Sequence, residues 1–375
     1  MQSLRLYDEL TAARTRFLRV DELCRLAAGK GFLPSIKDLE AEARLPLKEK
    51  KGLEKAQGQF LSEILSNPVA GTHLCHAMLL PLAESLAKVS AYQKTGELDL
   101  GAVHLKRQGK ASILTTRNPR YLNAEDETTL PATEMAVDIA LLDPKTEVCV
   151  LRGDVVTHTK HAGRRLFGAG INLTHLYEGK IRYLWYLIRD LGFVNKIYRG
   201  LATESQSPET TSTEKLWIAA LDGFAIGGHC QILLTIDYTI AAADAYLTLP
   251  ARKEGIIPGA ANLRLPRFVG DRIARQAILA ERRIDCASPE GRLICDEVVA
   301  PDRMENKLNE IIEKLTSSGV VSAAGNRRAF RAGEEPLDTF RRYMSVYARE
   351  QAHCHFSPAL ISNLEMHWNA KNRKL

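Results

Sequence analysis

The stretch LWIAALDGFAIGG, residues 216–228, constrains the fold more than any other. It reads as an apolar strand running into a glycine turn, and DYTIAAADAYLTLP at 237–250 reads as a second strand of the same kind. Glycine at such a turn lets the backbone approach another group closely. EVCVLRG at 147–153 is a shorter buried strand, and AVHLKRQGKASILTTRNP at 102–119 alternates apolar and polar residues like paired strands. Helical patterns stand between them, in TEMAVDIALLD (133–143) and in IRYLWYLIRDLGFVNKIYRGL (181–201), which is amphipathic. Strands alternating with helices define an α/β architecture.

The texture before residue 103 is different. Leu4, Leu10, Phe17, Leu18, Leu23 and Leu26 recur at helical spacing, Pro34 and Pro46 punctuate, and strand signals are almost lacking. The expected organisation is a helical N-terminal domain at 1–102, an α/β core at 103–300 and a helical C-terminal region at 301–375. ATESQSPETTSTEK (202–215) is expected to be a mobile surface loop.

Composition narrows the function classes. With 45% hydrophobic residues the chain has ample apolar surface to bury, which excludes disorder. No run of about 18 apolar residues occurs, so no membrane helix is expected. The net charge, 51 − 45 = +6, is spread over short pairs without interleaved aromatics, which disfavours nucleic acid. Seven cysteines without a C-x-x-C pair suggest a reducing, cytoplasmic setting, and MQSLRLYDELTAARTRF lacks the apolar core of a secretory signal. The ten histidines are dispersed without metal-ligand spacing, so no metal is expected. The Rossmann, P-loop and G-x-S-x-G patterns are absent.

An ordered set of motifs goes further: LNAED (122–126), RRLFGAGINL (164–173), AALDGFAIGG (219–228), DYTIAAADA (237–245) and GIIPGAANLRLPRFVG (255–270). Together they resemble the crotonase (enoyl-CoA hydratase/isomerase) superfamily. The resemblance implies a ββα spiral core, an acyl-CoA thioester substrate and a homotrimer or homohexamer. It also implies an oxyanion hole made by the backbone amides of Ile171 and Gly228. Two such donors stabilise the charge that builds on a thioester oxygen when an enolate forms.

The departures from that pattern are informative. The hydratases of the superfamily carry two glutamates, at positions matching Gln231 and Ala251 here. Without both carboxylates, adding water across a double bond lacks its acid/base pair. Glu254 stands nearby instead. RNPRYLNAED, LGFVNKIYRG, LPARKEGIIPGAANLRL and the helical extension are similar to the cofactor-independent dioxygenases of the superfamily. In that case the chain would oxidise 3,5-dihydroxyphenylacetyl-CoA, or a close arylacetyl-CoA, with dioxygen as co-substrate and no cofactor, in making the dihydroxyphenylglycine of peptide antibiotics.

The same resemblance places Glu125 on the ring hydroxyls, Arg189 beside it and Gln231 near the thioester. Ala169, Gly170 and Asn172 would flank the first donor, with His158, Arg164 and Arg165 toward the coenzyme A phosphates. Plainer roles compete. Glu125 suits a helix-start acid, Arg189 a surface ion pair, Glu254 a structural partner of Arg252 or Lys253, and Arg164 and Arg165 plain surface. His229 replaces the superfamily's usual third glycine, and it would either narrow the pocket or point away from it. Two other classes stay open: a non-oxidative isomerase or thioester hydrolase with Glu254 or Glu125 as base, and a non-catalytic acyl-CoA-binding subunit.

Overall fold

The computed structural model describes residues 2–372. Its N-terminal helices are Gln2–Leu10, Val20–Gly29, Ile36–Ala43, Lys55–Ser66, Pro68–Leu79 and Ala83–Thr95. Local chemistry fixes several of their ends. Ser35 caps the third by accepting from the Asp38 amide, and Asn67 caps the fifth through the Val69 and Ala70 amides. Pro68 occupies that helix's first position, where a missing N–H costs nothing.

The sheet follows at once. Strand β1 (Glu97–Asp99) pairs antiparallel with β2 (Val103–Gln108), and β2 pairs antiparallel with β3 (Ala111–Thr116). The strand layer therefore begins before the boundary expected at residue 103. The later strands are β4 (Val148–Gly153), β5 (Leu216–Leu221), β6 (Phe224–Ile226), β7 (Tyr238–Ala242), β8 (Tyr246–Thr248), β9 (Ile284–Asp285) and β10 (Glu297–Val299). The main sheet has the order β1-β2-β3-β4-β5-β7-β10 and is parallel from β3 onward. A smaller sheet has the order β6-β8-β9. Each long apolar run thus feeds both sheets, 216–228 through β5 and β6 and 237–250 through β7 and β8. Between β5 and β6 the chain turns at Gly223, whose φ of +69° suits glycine.

The segment 181–201 is two helices, Tyr183–Leu191 and Phe193–Arg199, broken at Gly192. It is buried nearly throughout rather than amphipathic. The reason is that helices Val20–Gly29, Lys55–Ser66 and Leu337–His355 all pack against its first half. Its one lysine is held by paired charge: Lys196 Nζ lies 2.8 Å from both Glu134 and Asp138. Arg19, from the N-terminal helical region, closes on Glu134 with two bonds of 2.8 and 2.9 Å. This buried cluster ties the N-terminal helices to the core.

The C-terminal helices are Met304–Thr316, Val321–Glu334, Leu337–His355 and Pro358–Trp368. Leu337–His355 runs along Lys55–Ser66, and Tyr183 donates to the Ala348 carbonyl at 2.6 Å. The segment 202–215 is exposed over Thr203–Ser207, yet its end is anchored. Glu214 is buried against Arg327 and Arg331, and Lys215 Nζ donates to the Ala140 and Asp143 carbonyls at 2.7 and 2.6 Å. Among the described residues no helix is long and apolar enough to cross a membrane.

Candidate active site

Two irregular segments extend the small sheet and build the site. Gly168 pairs with Ala225 of β6: its amide donates to Phe224 O at 3.2 Å, and its carbonyl accepts from Ile226 at 3.1 Å. On the other side Glu125 N donates to Gly170 O at 2.7 Å, and Asn172 N donates to Glu125 O at 2.8 Å. The order 125, 170, 226 across this ladder brings Ile171 beside the turn after β6. There Gly227 leads into helix Gly228–Leu233. Among the described residues neither the Ile171 nor the Gly228 amide has an acceptor. Two free N–H groups at facing loop ends are what an oxyanion needs.

Asp126 braces this pairing from beneath. It accepts from Asn118 at 2.8 Å, from Asn172 at 2.9 Å, and from the Thr128 amide and hydroxyl at 3.0 and 2.6 Å. Asn172 also caps helix Leu173–Tyr177 through the Thr174 and His175 amides. Asp126, Glu127 and His175 are the one group among the described residues with the donor set of a metal centre. Five hydrogen bonds, counting one from the Thr129 amide at 3.3 Å, already occupy the Asp126 carboxylate, so we read the trio as part of the brace.

Two cavities meet at this point. The outer cleft, about 250 Å³, is lined by Arg120, Tyr121, His158, Ala169, Ile171 and Trp368, among others. A narrow inner chamber is lined by Glu125, Trp185, Tyr186, Arg189, Gly228, Gln231 and Tyr347. Ile171 and Glu254 line both. Trp368 lines the cleft and Tyr347 the chamber, so the C-terminal helices cover both cavities.

Arg189 is the hub of the chamber. Nε and Nη2 donate to the two Glu125 oxygens at 2.8 and 2.9 Å, and Nη1 donates to Asp190 at 2.7 Å and Gln231 at 3.0 Å. Nη2 also reaches the Gly228 carbonyl at 2.7 Å. All five guanidinium N–H groups are thereby used. Burial alone would lower the Arg189 pKa, but Glu125 and Asp190 hold it above its ordinary value, so it stays charged. Gln231 spends its carbonyl oxygen on Arg189, and among the described residues its amide nitrogen has no partner. Trp185 Nε1 is a buried donor without a partner among the described residues. Burial pushes the Tyr186 and Tyr347 phenols up, so both remain protonated donors. Trp185 and Arg189 stand four apart on one helix, and that spacing was the available sequence signal for the tryptophan.

The structure separates the remaining candidates. His158, Ala169, Asn172 and Glu254 reach the outer cleft; Arg164 and Arg165 do not line it. Arg164 pairs with Asp244 at 3.1 Å, and Arg165 turns to the Gly153 carbonyl at 2.8 Å. Arg252 and Lys253 pair with Glu281, leaving Glu254 without either partner expected for it. Burial, with the Glu281 charge beyond it, pushes the Glu254 carboxyl up to about 7.

His229 turns away from the chamber and supports the loop from behind. Its Nδ1 accepts from Gly170 N at 3.0 Å, and its ring meets Phe167 edge-on. Burial pushes its pKa down from 6.5 to about 4. The unfolded chain therefore binds a proton below pH 6.5 that the folded chain refuses until about 4, and stability falls as pH drops through that window. His229→Asn keeps an acceptor near Nδ1 and does not titrate. Urea unfolding between pH 4.5 and 6 is expected to show a slope smaller than wild type by up to ~1.4 kcal/mol per pH unit. An unchanged slope would place the titration elsewhere.

The arrangement is that of an acyl-thioester enzyme. The profile of the family described as Enoyl-CoA hydratase/isomerase matches residues 111–346, and the chain belongs to that family. The (3,5-dihydroxyphenyl)acetyl-CoA 1,2-dioxygenase of Amycolatopsis orientalis is 46% identical over 350 residues, which is 92% of this chain and 80% of the relative. The short-chain-enoyl-CoA hydratase of Clostridium acetobutylicum is 29% identical over 245 residues, 64% of this chain and 86% of the relative. Among solved structures, an enoyl-CoA hydratase from Mycobacterium avium subsp. paratuberculosis superposes with a TM-score of 0.59 at 20% identity, covering 71% of this chain and 98% of its own. An enoyl-CoA hydratase/isomerase from Xanthobacter autotrophicus gives 0.59 at 21%, covering 73% and 96%. The crotonase fold expected from the motifs is the fold of the chain.

Proposed function

We propose that the protein is a dioxygenase that converts 3,5-dihydroxyphenylacetyl-CoA, with dioxygen, into the arylglyoxylate and free coenzyme A without metal or flavin. The carrying observation is a pair of unoccupied oxyanion amides beside a chamber in which Gln231 and Ala251 stand in place of the hydratase glutamates. The site can stabilise an enolate and lacks the two glutamates with which the hydratases activate water. The identity to the Amycolatopsis dioxygenase supports the same reading.

In this scheme coenzyme A lies in the outer cleft, with Arg120 and His158 toward its phosphates. The aryl group enters the chamber, whose free space of about 20 Å³ must widen to take the ring. One ring hydroxyl donates to Glu125, whose oxygens keep lone pairs beyond those given to Arg189. Another accepts from Trp185 Nε1. Loss of an α-proton gives an enolate held by the Ile171 and Gly228 amides. It passes an electron to dioxygen, and recombination forms a peroxide on the α-carbon. The peroxide closes on the thioester carbonyl and expels the thiolate. The four-membered ring then opens as the O–O bond breaks and the second α-proton leaves, giving the keto acid. The atoms balance: one substrate and one dioxygen give one arylglyoxylic acid and one thiol. Such a place in metabolism suits the making of dihydroxyphenylglycine, and a closed homotrimer or homohexamer in the cytoplasm suits the family.

An oxygen electrode with chelator-treated protein and 3,5-dihydroxyphenylacetyl-CoA, with thiol release followed in parallel, tests this. Equal loss of dioxygen and gain of thiol, unaffected by chelator, is expected. Thiol release without dioxygen loss would make the protein a hydrolase instead. Gln231→Ala removes an amide donor beside the reacting centre. It is expected to lower kcat by about tenfold or more while coenzyme A affinity stays within about threefold. Unchanged kcat would remove Gln231 from that role.

A further inference from the structure

We infer that Glu254 is the residue that moves the protons: it takes the α-proton of the substrate and returns it to the departing thiolate. This rests on the dioxygenase reading for its later steps only. Ile171 and Glu254 are the two residues that line both the outer cleft and the inner chamber. They therefore form the neck between them. The thioester must occupy that neck, because its oxygen sits on the Ile171 amide while coenzyme A lies outward and the acyl group inward. The α-carbon is one bond further in, on the chamber side of Glu254.

The other titratable groups of the site are committed elsewhere. Glu125 and Asp190 are both held by Arg189. The Tyr186 and Tyr347 phenols are too weakly acidic to be present as bases. His229 gives Nδ1 to the Gly170 amide on the far side of the loop. His158 belongs to the outer cleft alone. Glu254 differs from all of these. It is 5% exposed, and among the described residues its carboxylate accepts no hydrogen bond and meets no cation. A carboxylate freed of partners and taken out of water is a stronger base than one in solution. Its one-turn helix, Ala251–Glu254, ends on Gly255 in the left-handed conformation, which directs the chain away just after the carboxylate.

The steps balance. The Glu254 carboxylate forms an O–H bond as the α-C–H bond breaks, and that electron pair enters the enolate. Dioxygen is the oxidant. When the peroxide closes on the carbonyl, the C–S bond breaks and the thiolate takes the proton from Glu254. The regenerated carboxylate then accepts the second α-proton while the O–O bond breaks and the C=O bond forms. One base in one place thus serves both α-protons, and its first cycle supplies the thiol proton.

Exchange of the α-hydrogens in D₂O without dioxygen isolates the first step. Wild type is expected to exchange them on 3,5-dihydroxyphenylacetyl-CoA. Glu254→Gln is expected to slow exchange and turnover alike by about 10²–10⁴-fold, with coenzyme A affinity within about threefold. Formate added to Glu254→Ala is expected to restore part of the exchange. Exchange in Glu254→Gln at the wild-type rate would overturn the inference, even with dioxygen uptake intact in wild type. Exchange lost in the variant while wild type consumes no dioxygen would instead overturn the oxygenase reading and leave Glu254 as the base. Should Glu254→Gln not fold, Glu254→Asp draws the carboxylate back by one methylene; at least tenfold slower exchange is expected, and wild-type exchange would overturn the assignment.

Discussion

Arg189→Met is expected to abolish turnover to within a thousandth of wild type and to cost about 3–5 kcal/mol of stability, the usual penalty for removing one partner of a buried ion network. The guanidinium serves four acceptors at once: Glu125, Asp190, Gln231 and the Gly228 carbonyl. Removing it strands two carboxylates, on Glu125 and Asp190, at 8% and 2% exposure. It also frees Gly228, the first residue of its helix, whose amide is the proposed second oxyanion donor. Lysine should not rescue the variant, because one ammonium with three donors cannot span four separated acceptors. The stability loss has a pH signature. Stranded buried carboxyls have folded pKa values above their unfolded ones, so they bind protons more readily when folded. The gap between variant and wild type is therefore widest at neutral pH and narrows as pH falls toward 5. Chemical unfolding at pH 5 and 7 reads this directly, and a gap that does not narrow would mean the carboxylates find other partners. Adding Glu125→Gln to the variant is expected to recover part of the loss, since it removes one of the two stranded charges.

These residues also show how far sequence reasoning carries. Ile171 and Gly228 come from the family resemblance, carried by two short glycine-bearing motifs, and among the described residues both amides lack an acceptor. Arg189 was legible as a site residue only through family resemblance. The plainer reading, an ion pair, was right about the partner chemistry and wrong about the place, since the pair is buried. Arg164 and Arg165 adjoin the first loop in the chain, yet their side chains turn to Asp244 and Gly153 instead of the cleft. Glu254 illustrates the geometric limit. Neighbours on a helix point about 100° apart, so Arg252 and Lys253 cannot face the same way as Glu254. They reach Glu281, which is distant in sequence. The reading of 181–201 as one amphipathic helix failed for a related reason. Its polar residues are matched by charges far away in the chain, Lys196 by Glu134 and Asp138, and no local pattern announces such pairs.

A single methyl group added at Gly170 is expected to have a sharp effect. Gly170 lies at φ +76°, and a Cβ there would sit 2.6 Å from the Ile226 carbonyl and 3.1 Å from the Gly228 amide. The first distance is too short to keep, the second is tight, and both atoms are backbone, so the Gly168–Ile171 segment must lift away from β6. That motion separates the Ile171 amide from the Gly228 amide. One oxyanion donor typically contributes 10²–10³ in kcat, so misplacing the pair in Gly170→Ala is expected to lower kcat by at least about 10³. Coenzyme A affinity should change little, because the surface proposed for it lies in the outer cleft. The left-handed backbone adds its own cost of about 1–2 kcal/mol for any residue with a Cβ. Gly101→Ala separates the two contributions. It has φ +77°, but nothing lies within 4 Å of the added carbon. It should therefore lose a similar amount of stability and keep wild-type kcat. If Gly170→Ala matched Gly101→Ala in both respects, the collision would not reach the donors, and the two amides could not be the groups that hold the enolate.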